Sequence, residues 1–222
     1  TQNYTYDREN RLTKVSKGSS TLATFEYDGD SGRTKKVAGV FKYTYVGNLF
    51  EKAGTAKTKH IFMGAARICS INNSGLPSYY HSDHLGSSNL ISDQYGTAVQ
   101  HLEYDPYGAT ALSKGTNKTD YKFTGKELDE EVGLYYYGAR YYFPLIGRFI
   151  TPDSIIQAPY NPQSLNRYTY CLNNPINYVD PTGHWWFIVA LIIKFAIAHP
   201  VIFGAIAGAV INPAVNASNI HS

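Results

Sequence analysis

The sequence has one methionine (Met63), two cysteines and only 17 % charged residues in a chain of 222. Cys69 and Cys171 stand far apart, a spacing that fits neither a metal-binding pair nor a disulfide framework, so both read as ordinary thiols. Lys and Arg number 20 against 17 Asp and Glu, for a net charge of +3, and they are scattered. Without a basic stripe the chain has no nucleic-acid footprint, and nucleic acid is not expected as a partner. With 43 % of hydrophobic residues, disorder is not expected for most of the chain. The opening Thr1-Gln2-Asn3-Tyr4 lies already inside patterned sequence, with no charged-then-apolar leader before it. The chain therefore reads as a piece of a longer polypeptide, and the missing leader says nothing about export.

Tyrosine is what the sequence has in excess. There are 20, all between Tyr4 and Tyr178, and together with Gly and Thr they predict extended structure with aromatic pairs between neighbouring strands. An internal repeat organises the first part. Tyr4-Thr5-Tyr6-Asp7 through Val15 returns as Phe25-Glu26-Tyr27-Asp28 through Val37, with a weaker echo at Phe41-Lys42-Tyr43-Thr44-Tyr45. Each unit alternates aromatic and polar residues, turns at Asp, Asn or Gly, and alternates again, which is the pattern of a β-hairpin adding to a growing sheet.

Further units follow at Ser78-Tyr79-Tyr80-His81, Ser88-Asn89-Leu90-Ile91 and Val99 to Tyr104, the last running into an Asp105-Pro106-Tyr107-Gly108 turn. The stretch from Lys114 to Thr119 reads as an exposed loop, and so does Pro159 to Asn166. The character changes after Gly183. Residues 185–211 are almost wholly apolar, interrupted by Lys194, His199 and Pro200. As one or two α-helices kinked at Pro200, this run is long enough for a bilayer core of ~30 Å.

The motifs, taken in order, resemble one family. The Tyr-Asp units, Tyr80-His81-Ser82-Asp83-His84-Leu85-Gly86 and Glu103-Tyr104-Asp105-Pro106-Tyr107-Gly108 are followed by Gly125-Lys126-Glu127 and Gly133 to Tyr142. Gly147-Arg148-Phe149-Ile150-Thr151-Pro152-Asp153 and Asn173 to Gly183, which ends Asp180-Pro181-Thr182-Gly183, complete the set. Together they resemble the rearrangement-hotspot (RHS, or YD-repeat) family and its repeat-associated core, over roughly residues 1–183. The resemblance implies a mainly β fold: a spiral of YD hairpins, part of a β-shell, with a core plug. YD hairpins are expected over 1–77, the repeat-associated core over 78–183, and an apolar helical pre-toxin or membrane-interacting segment over 184–222. It also implies a function: part of the shell of a secreted polymorphic toxin that encloses and delivers a C-terminal cargo. Upstream YD repeats of the same chain, the toxin cargo, an immunity protein and membrane contact through 185–211 are the partners it suggests. Secretion or display at the cell surface follows from the same likeness, with the apolar segment inserted in a membrane or buried in the shell.

In several members the core is an aspartyl autoprotease that cuts just after Asp-Pro-x-Gly. The matching carboxylates are Asp153 and Asp180, which as a close pair would serve as base and acid in a single-turnover cut after Gly183 or His184. Arg148 is the expected cation, holding one carboxylate ionised or stabilising the oxyanion. Turn capping by the two Asp side chains is the alternative. The sequence departs from cleaving members in two places that touch the site: His184 follows the motif where they usually carry Leu, and the stretch from Asp153 to Asp180 is a few residues longer than in many relatives. His81, Asp83 and His84 are metal-ligand types, but as three residues at a strand–turn junction they read as hydrogen-bonding groups, and neither metal nor cofactor is expected. A third reading is an adhesion protein binding glycans through its Tyr stripe, for which strand packing already accounts.

Overall fold

The computed structural model describes residues 1–116, 119–154, 156, 160, 162–184 and 187–188. Twelve strands form one antiparallel sheet in strict chain order. They are β1 (Gln2–Tyr6), β2 (Leu12–Lys17), β3 (Ser20–Tyr27), β4 (Arg33–Ala38), β5 (Phe41–Val46) and β6 (Phe50–Ala53). The sheet continues without a break through β7 (Ala56–Met63), β8 (Ala66–Ile71), β9 (Pro77–Ser82), β10 (Ser88–Ser92), β11 (Ala98–Tyr104) and β12 (Thr110–Gly115). A second, four-stranded sheet follows: β13 (Glu127–Asp129), β14 (Leu134–Tyr136), β15 (Tyr141–Phe143) and β16 (Arg148–Phe149). One turn of helix, α1 (Pro162–Leu165), lies in the segment read as a loop, and β17 (Tyr178–Val179) pairs with β18 (Phe187–Ile188).

The Asp residues explain why the hairpins turn where they do. Oδ1 of Asp7 accepts the backbone N–H groups of Glu9 and Arg11, and Asp28 does the same for Asp30 and Gly32. Asp83 and Asp93 repeat the arrangement at Leu85 and Ser87 and at Tyr95 and Thr97. The carboxylate thus satisfies two amides that the turn leaves without a ladder partner. Three positions after each Asp the chain enters the left-handed region, at Asn10, Ser31, Gly86 and Gly96. Gly108 takes the same place after Asp105, and there a side chain is excluded twice over: φ is 85° and a Cβ would run into the Phe123 ring.

A bulge follows several of these turns. Tyr6 pairs with Leu12 but Thr5 pairs with Lys14, leaving Thr13 extra; Tyr27 pairs with Arg33 but Glu26 with Lys35, leaving Thr34 extra. The extra residue reverses the alternation, so Leu12 and Val15 are both buried, as are Arg33 and Lys36. Leu12, Val15, Ala23 and Phe25 meet Val132, Leu134 and Tyr141 in one apolar cluster. A second cluster is aromatic, built from Phe123, Tyr135, Tyr137, Tyr142, Phe149 and Tyr170. Between them the ionic residues of β4 meet those of β13. Arg33 Nη2 lies 2.5 Å from Glu127 Oε2 and Nη1 lies 2.6 Å from Asp129 Oδ2, while Lys36 Nζ is 2.7 Å from Asp129 Oδ1. Tyr45 donates to Glu127 at 2.7 Å. Burial pushes the Glu127 carboxyl up, but Arg33 and Lys36 more than reverse this and hold it below the usual range.

Several expectations are corrected here. Among the described residues, cross-strand aromatic pairs occur in the small sheet, at Tyr135–Tyr142, Tyr142–Phe149 and Tyr136–Tyr141, and not between neighbouring strands of the large one. Large-sheet tyrosines instead use their hydroxyls: Tyr27 Oη donates to Leu12 O at 2.5 Å and Tyr104 Oη to Ser88 O at 2.7 Å, while Tyr4 and Tyr45 donate to the side chains of Gln2 and Glu127. The expected loop at 114–119 is strand to Gly115, and Thr119 is buried with its N–H on Gln100 Oε1. At Phe187–Ile188 the backbone is strand rather than helix, because the Asp180–Gly183 turn folds it back onto Tyr178–Val179. The rest of the expected apolar helices, with their membrane contact, lies outside the described residues. Among the described residues no helix is long and apolar enough to cross a membrane.

Candidate functional site

The structure brings Asp153 and Asp180 together. Asp153 follows β16 and is fixed by its own backbone, its N–H donating to Arg167 O at 2.9 Å while Arg167 Nε donates to its carbonyl. Asp180 follows β17 at the head of the Asp180-Pro181-Thr182-Gly183 turn, where Oδ1 accepts the amides of Thr182 at 3.1 Å and Gly183 at 2.7 Å. Both carboxylates are buried, 4 % and 3 % exposed.

The cation between them is Arg140, and this corrects the assignment of Arg148. Arg140 Nη2 lies 2.8 Å from Asp153 Oδ2 and 3.6 Å from Asp180 Oδ2. Its Nε donates to the carbonyl of Gly183, its Nη1 donates to Arg167 O at 3.0 Å, and its guanidinium stacks 3.7 Å from the centre of the Phe149 ring. Arg148 sits next to Phe149 in a strand. With Phe149 turned into the aromatic core, Arg148 points the other way and bonds Thr169 Oγ1 and Asn173 Oδ1. Arg140 was visible in the sequence only as one letter of a Tyr-rich motif; nothing local marks it as the residue that turns inward.

The Asp-Pro-Thr-Gly turn is clamped against the segment that carries Arg140. Ala139 N–H donates to Thr182 O at 3.1 Å, and Lys126 Nζ donates to Pro181 O at 2.6 Å. Gly183 has φ 84°, and a Cβ there would stand 3.1 Å from Arg140 N and Tyr137 O, so the position admits glycine alone without movement. Burial raises the Asp180 carboxyl above its ordinary value, a shift that the Gly183 amide and Arg140 offset only in part. Burial lowers Arg140, against the pull of both carboxylates, and pushes the Lys126 ammonium down to about 8. The ring of His184 completes the site, with Nδ1 at 2.8 Å from Asp153 Oδ1.

Chemically, the Gly183–His184 peptide is surrounded. Its carbonyl oxygen is held by a guanidinium, the amide before it by one carboxylate, and the side chain after it by the other. The other singled-out residues are elsewhere and separate. His81 Nε2 bonds Ser92 Oγ at 2.8 Å, His84 Nε2 bonds Ile176 O at 3.1 Å, and Asp83 caps its own turn. Among the described residues no group of three or more His, Cys, Asp or Glu could hold a metal. Cys69 and Cys171 are free and buried.

Comparison with known proteins places these features. The family model described as the teneurin YD-shell matches residues 44–176. The chain is 35 % identical over 200 residues to the tRNA nuclease WapA of Bacillus subtilis (strain 168), covering 84 % of this chain and 9 % of WapA. It is 31 % identical over 196 residues to toxin subunit YenC1 of Yersinia entomophaga, covering 74 % of this chain and 20 % of that subunit. The crystal structure of TcdB2-TccC3 without its hypervariable C-terminal region superposes with a TM-score of 0.69 at 28 % identity, over 82 % of this chain and 10 % of that one. The chain thus spans a small part of the length of each relative.

Proposed function

This chain belongs to the RHS/YD-repeat family of YD-shell proteins, and from that premise we propose that it is the end of a β-shell that encloses a C-terminal cargo of its own polypeptide and releases it by one cut. The shell reading is supported by the unbroken twelve-stranded sheet with a second sheet packed against it, and by relatives that include a toxin subunit and a nuclease of much greater length. The cargo, a partner immunity protein and delivery outside the producing cell belong to the same proposal.

The cut is carried by one observation: Arg140 holds the Gly183 carbonyl while its Nη2 reaches both Asp153 and Asp180. Asp153, ion-paired, is the base that takes a proton from water as the water oxygen attacks the Gly183 carbonyl carbon. Arg140 Nε holds the oxygen as it becomes negative. Asp180, whose burial favours the protonated form, gives its proton to the His184 nitrogen as the C–N bond breaks. The products are the Gly183 carboxylic acid and the His184 amine, between which one proton then passes, and with one proton gained by Asp153 and one lost by Asp180 the pair keeps its net charge. The two carboxylates therefore act once, in cis, on a bond that the fold itself presents.

The test is mass spectrometry of the full-length parent under denaturing conditions, beside size exclusion under native ones. Wild type is expected as two pieces divided after Gly183 that co-elute until denatured, and Asp180→Asn as one intact chain. A wild type of single intact mass refutes the cut, and a cut piece that elutes apart from the shell refutes the enclosure.

A further inference from the structure

We propose that Lys126 is a positioning residue for this cut, its ammonium polarising the peptide that holds Asp180 and so readying that carboxyl to give up its proton. The inference rests on the reading of Asp153, Asp180 and Arg140 as a self-cleaving site, and it gives a role to the Gly125-Lys126-Glu127 motif, which the chemistry above does not use. Lys126 Nζ donates to Pro181 O at 2.6 Å, and the N–H of the same peptide unit, on Thr182, donates to Asp180 Oδ1 at 3.1 Å. The ammonium, the peptide and the carboxylate therefore form one chain of hydrogen bonds. A cation on the oxygen of an amide draws charge from its nitrogen and makes the N–H a stronger donor, so the two bonds reinforce each other.

The fold fixes Lys126 before its side chain reaches the turn. In the tight turn Phe123-Thr124-Gly125 the last two residues are left-handed, with φ of 49° and 70°. They deliver Lys126 to the start of β13 with its backbone bonded on both sides: its N–H donates to Phe123 O at 3.0 Å, and its carbonyl accepts the Lys122 N–H at 2.9 Å. Tyr137, whose hydroxyl pairs with Thr124 Oγ1 at 2.7 Å, sets its ring centre 5.3 Å from Lys126 Nζ. Guided by that ring, the ammonium meets a carbonyl of the turn rather than a carboxylate, and its charge is left to act on Asp180.

The direction of the effect follows from the charges around Asp180. Facing it are Arg140 at 3.6 Å, Lys126 and the buried Cys171 thiol, with Asp153 on the other side of Arg140. Burial raises the Asp180 carboxyl, while the turn amides, Arg140 and Lys126 pull it back down. Without the ammonium, Asp180 holds its proton to higher pH and surrenders it less readily. Where Asp180 is the acid, the rate falls as it ionises with rising pH, so the charge on Lys126 sets where that fall lies. Lys126 carries that charge below about pH 8, the value to which burial brings it.

The experiment follows cutting over time in the full-length parent, made by a short cell-free synthesis and shifted into buffers from mildly acidic to mildly alkaline, for wild type, Lys126→Met and Lys126→Arg. Wild type should lose rate on the alkaline side as Asp180 ionises. Met keeps most of the stem without the charge; its maximal rate should be lower and its falling limb displaced upward by about one pH unit or more, the shift that an opposite charge near a carboxyl produces. Arg keeps the charge and should keep the limb, at a reduced rate because a planar fork does not replace an ammonium on a single carbonyl. A limb that stays in place in the Met variant, or moves as far in Arg as in Met, overturns the role of the charge and leaves the protease standing. A Met variant silent at every pH overturns it too, because a charge that tunes an acid is not indispensable, and makes Lys126 a strut of the turn. No cutting in wild type at any pH, as in Asp180→Asn, overturns the self-cleaving site and the part of Lys126 with it.

Discussion

Arg140 and Arg148 differ by eight positions and by the face of the chain they leave. A residue five places before Asp153 is the obvious cation in a linear reading, but neighbouring residues of a strand point to opposite sides, and Phe149 takes the inner one. Arg140 comes from the far side of a turn at Gly138 and lies flat on Phe149, which aligns its fork with Gly183, Asp153 and Asp180 together. This assigns the two arginines different consequences. Arg140→Gln should slow the cut by roughly a hundredfold or more, the size of effect seen when an oxyanion donor is removed. Arg148→Gln should leave the rate within about twofold, since its bonds to Thr169 and Asn173 are remote from the scissile carbonyl. Quantifying the cut fraction in the two variants, side by side at fixed times, separates them; equal loss in both would return the role to Arg148. The carboxylates themselves were legible because each sits beside a proline in a motif. The arginine was not, because its role depends on side-chain direction in three dimensions.

At the level of strands and turns, legibility follows the range of the interaction. The Asp-led turns are local, a side chain bonding amides two and four residues on, and they stand out in the sequence. The bulges are also local but silent: strict alternation puts Leu12 and Val15, or Arg33 and Lys36, on opposite faces, and one extra residue in the ladder brings each pair onto the same one. What joins β4 to β13 is more hidden still, since Arg33 meets Glu127 and Asp129 across more than ninety residues of chain. These side chains are 1 %, 7 % and 0 % exposed. Arg33 also lies over the rings of Tyr136 and Tyr45, at 4.4 Å and 4.7 Å. Removing one partner of such a cluster leaves buried charge behind, which costs about 3–5 kcal/mol. Arg33→Met is accordingly expected to loosen the second sheet from the first, seen as faster amide exchange in β14 than in wild type. Arg33→Lys, which keeps the charge but loses the planar fork and much of the stacking, should fall between the two. Unchanged exchange in Arg33→Met would mean that the apolar cluster around Val15 and Leu134 holds the sheets without the ions.

For the molecule as a whole, the strand order decides how it can sit within something larger. A sheet whose strands follow the chain from β1 to β12 has its two edges at the two ends of the repeat region. β12 carries Lys114 and is followed by Thr116, whose amide bonds back to Val99 O. β1 is the less guarded edge. Its sequence, Gln-Asn-Tyr-Thr-Tyr, has no charge and no proline, and among the described residues its ladder partner is β2. Natural sheets blunt exposed edges with charge, proline or bulges, so an unguarded strand of this kind invites another to pair with it. In the shell reading that other strand is the preceding YD hairpin of the same chain, which would extend the spiral by the geometry that joins β2 to β3. Residues 1–184 made alone should then self-associate through β1, with an apparent mass that rises with concentration in light scattering. Adding the preceding hairpins of the parent, or replacing the exposed Asn3 by Lys on the edge, should reduce that association. Because the Lys variant changes a single side chain and leaves the turns intact, it tests the edge itself. A fragment that stays monomeric at every concentration would show that β1 is covered from within, and the docking of upstream repeats would have to be sought on another face.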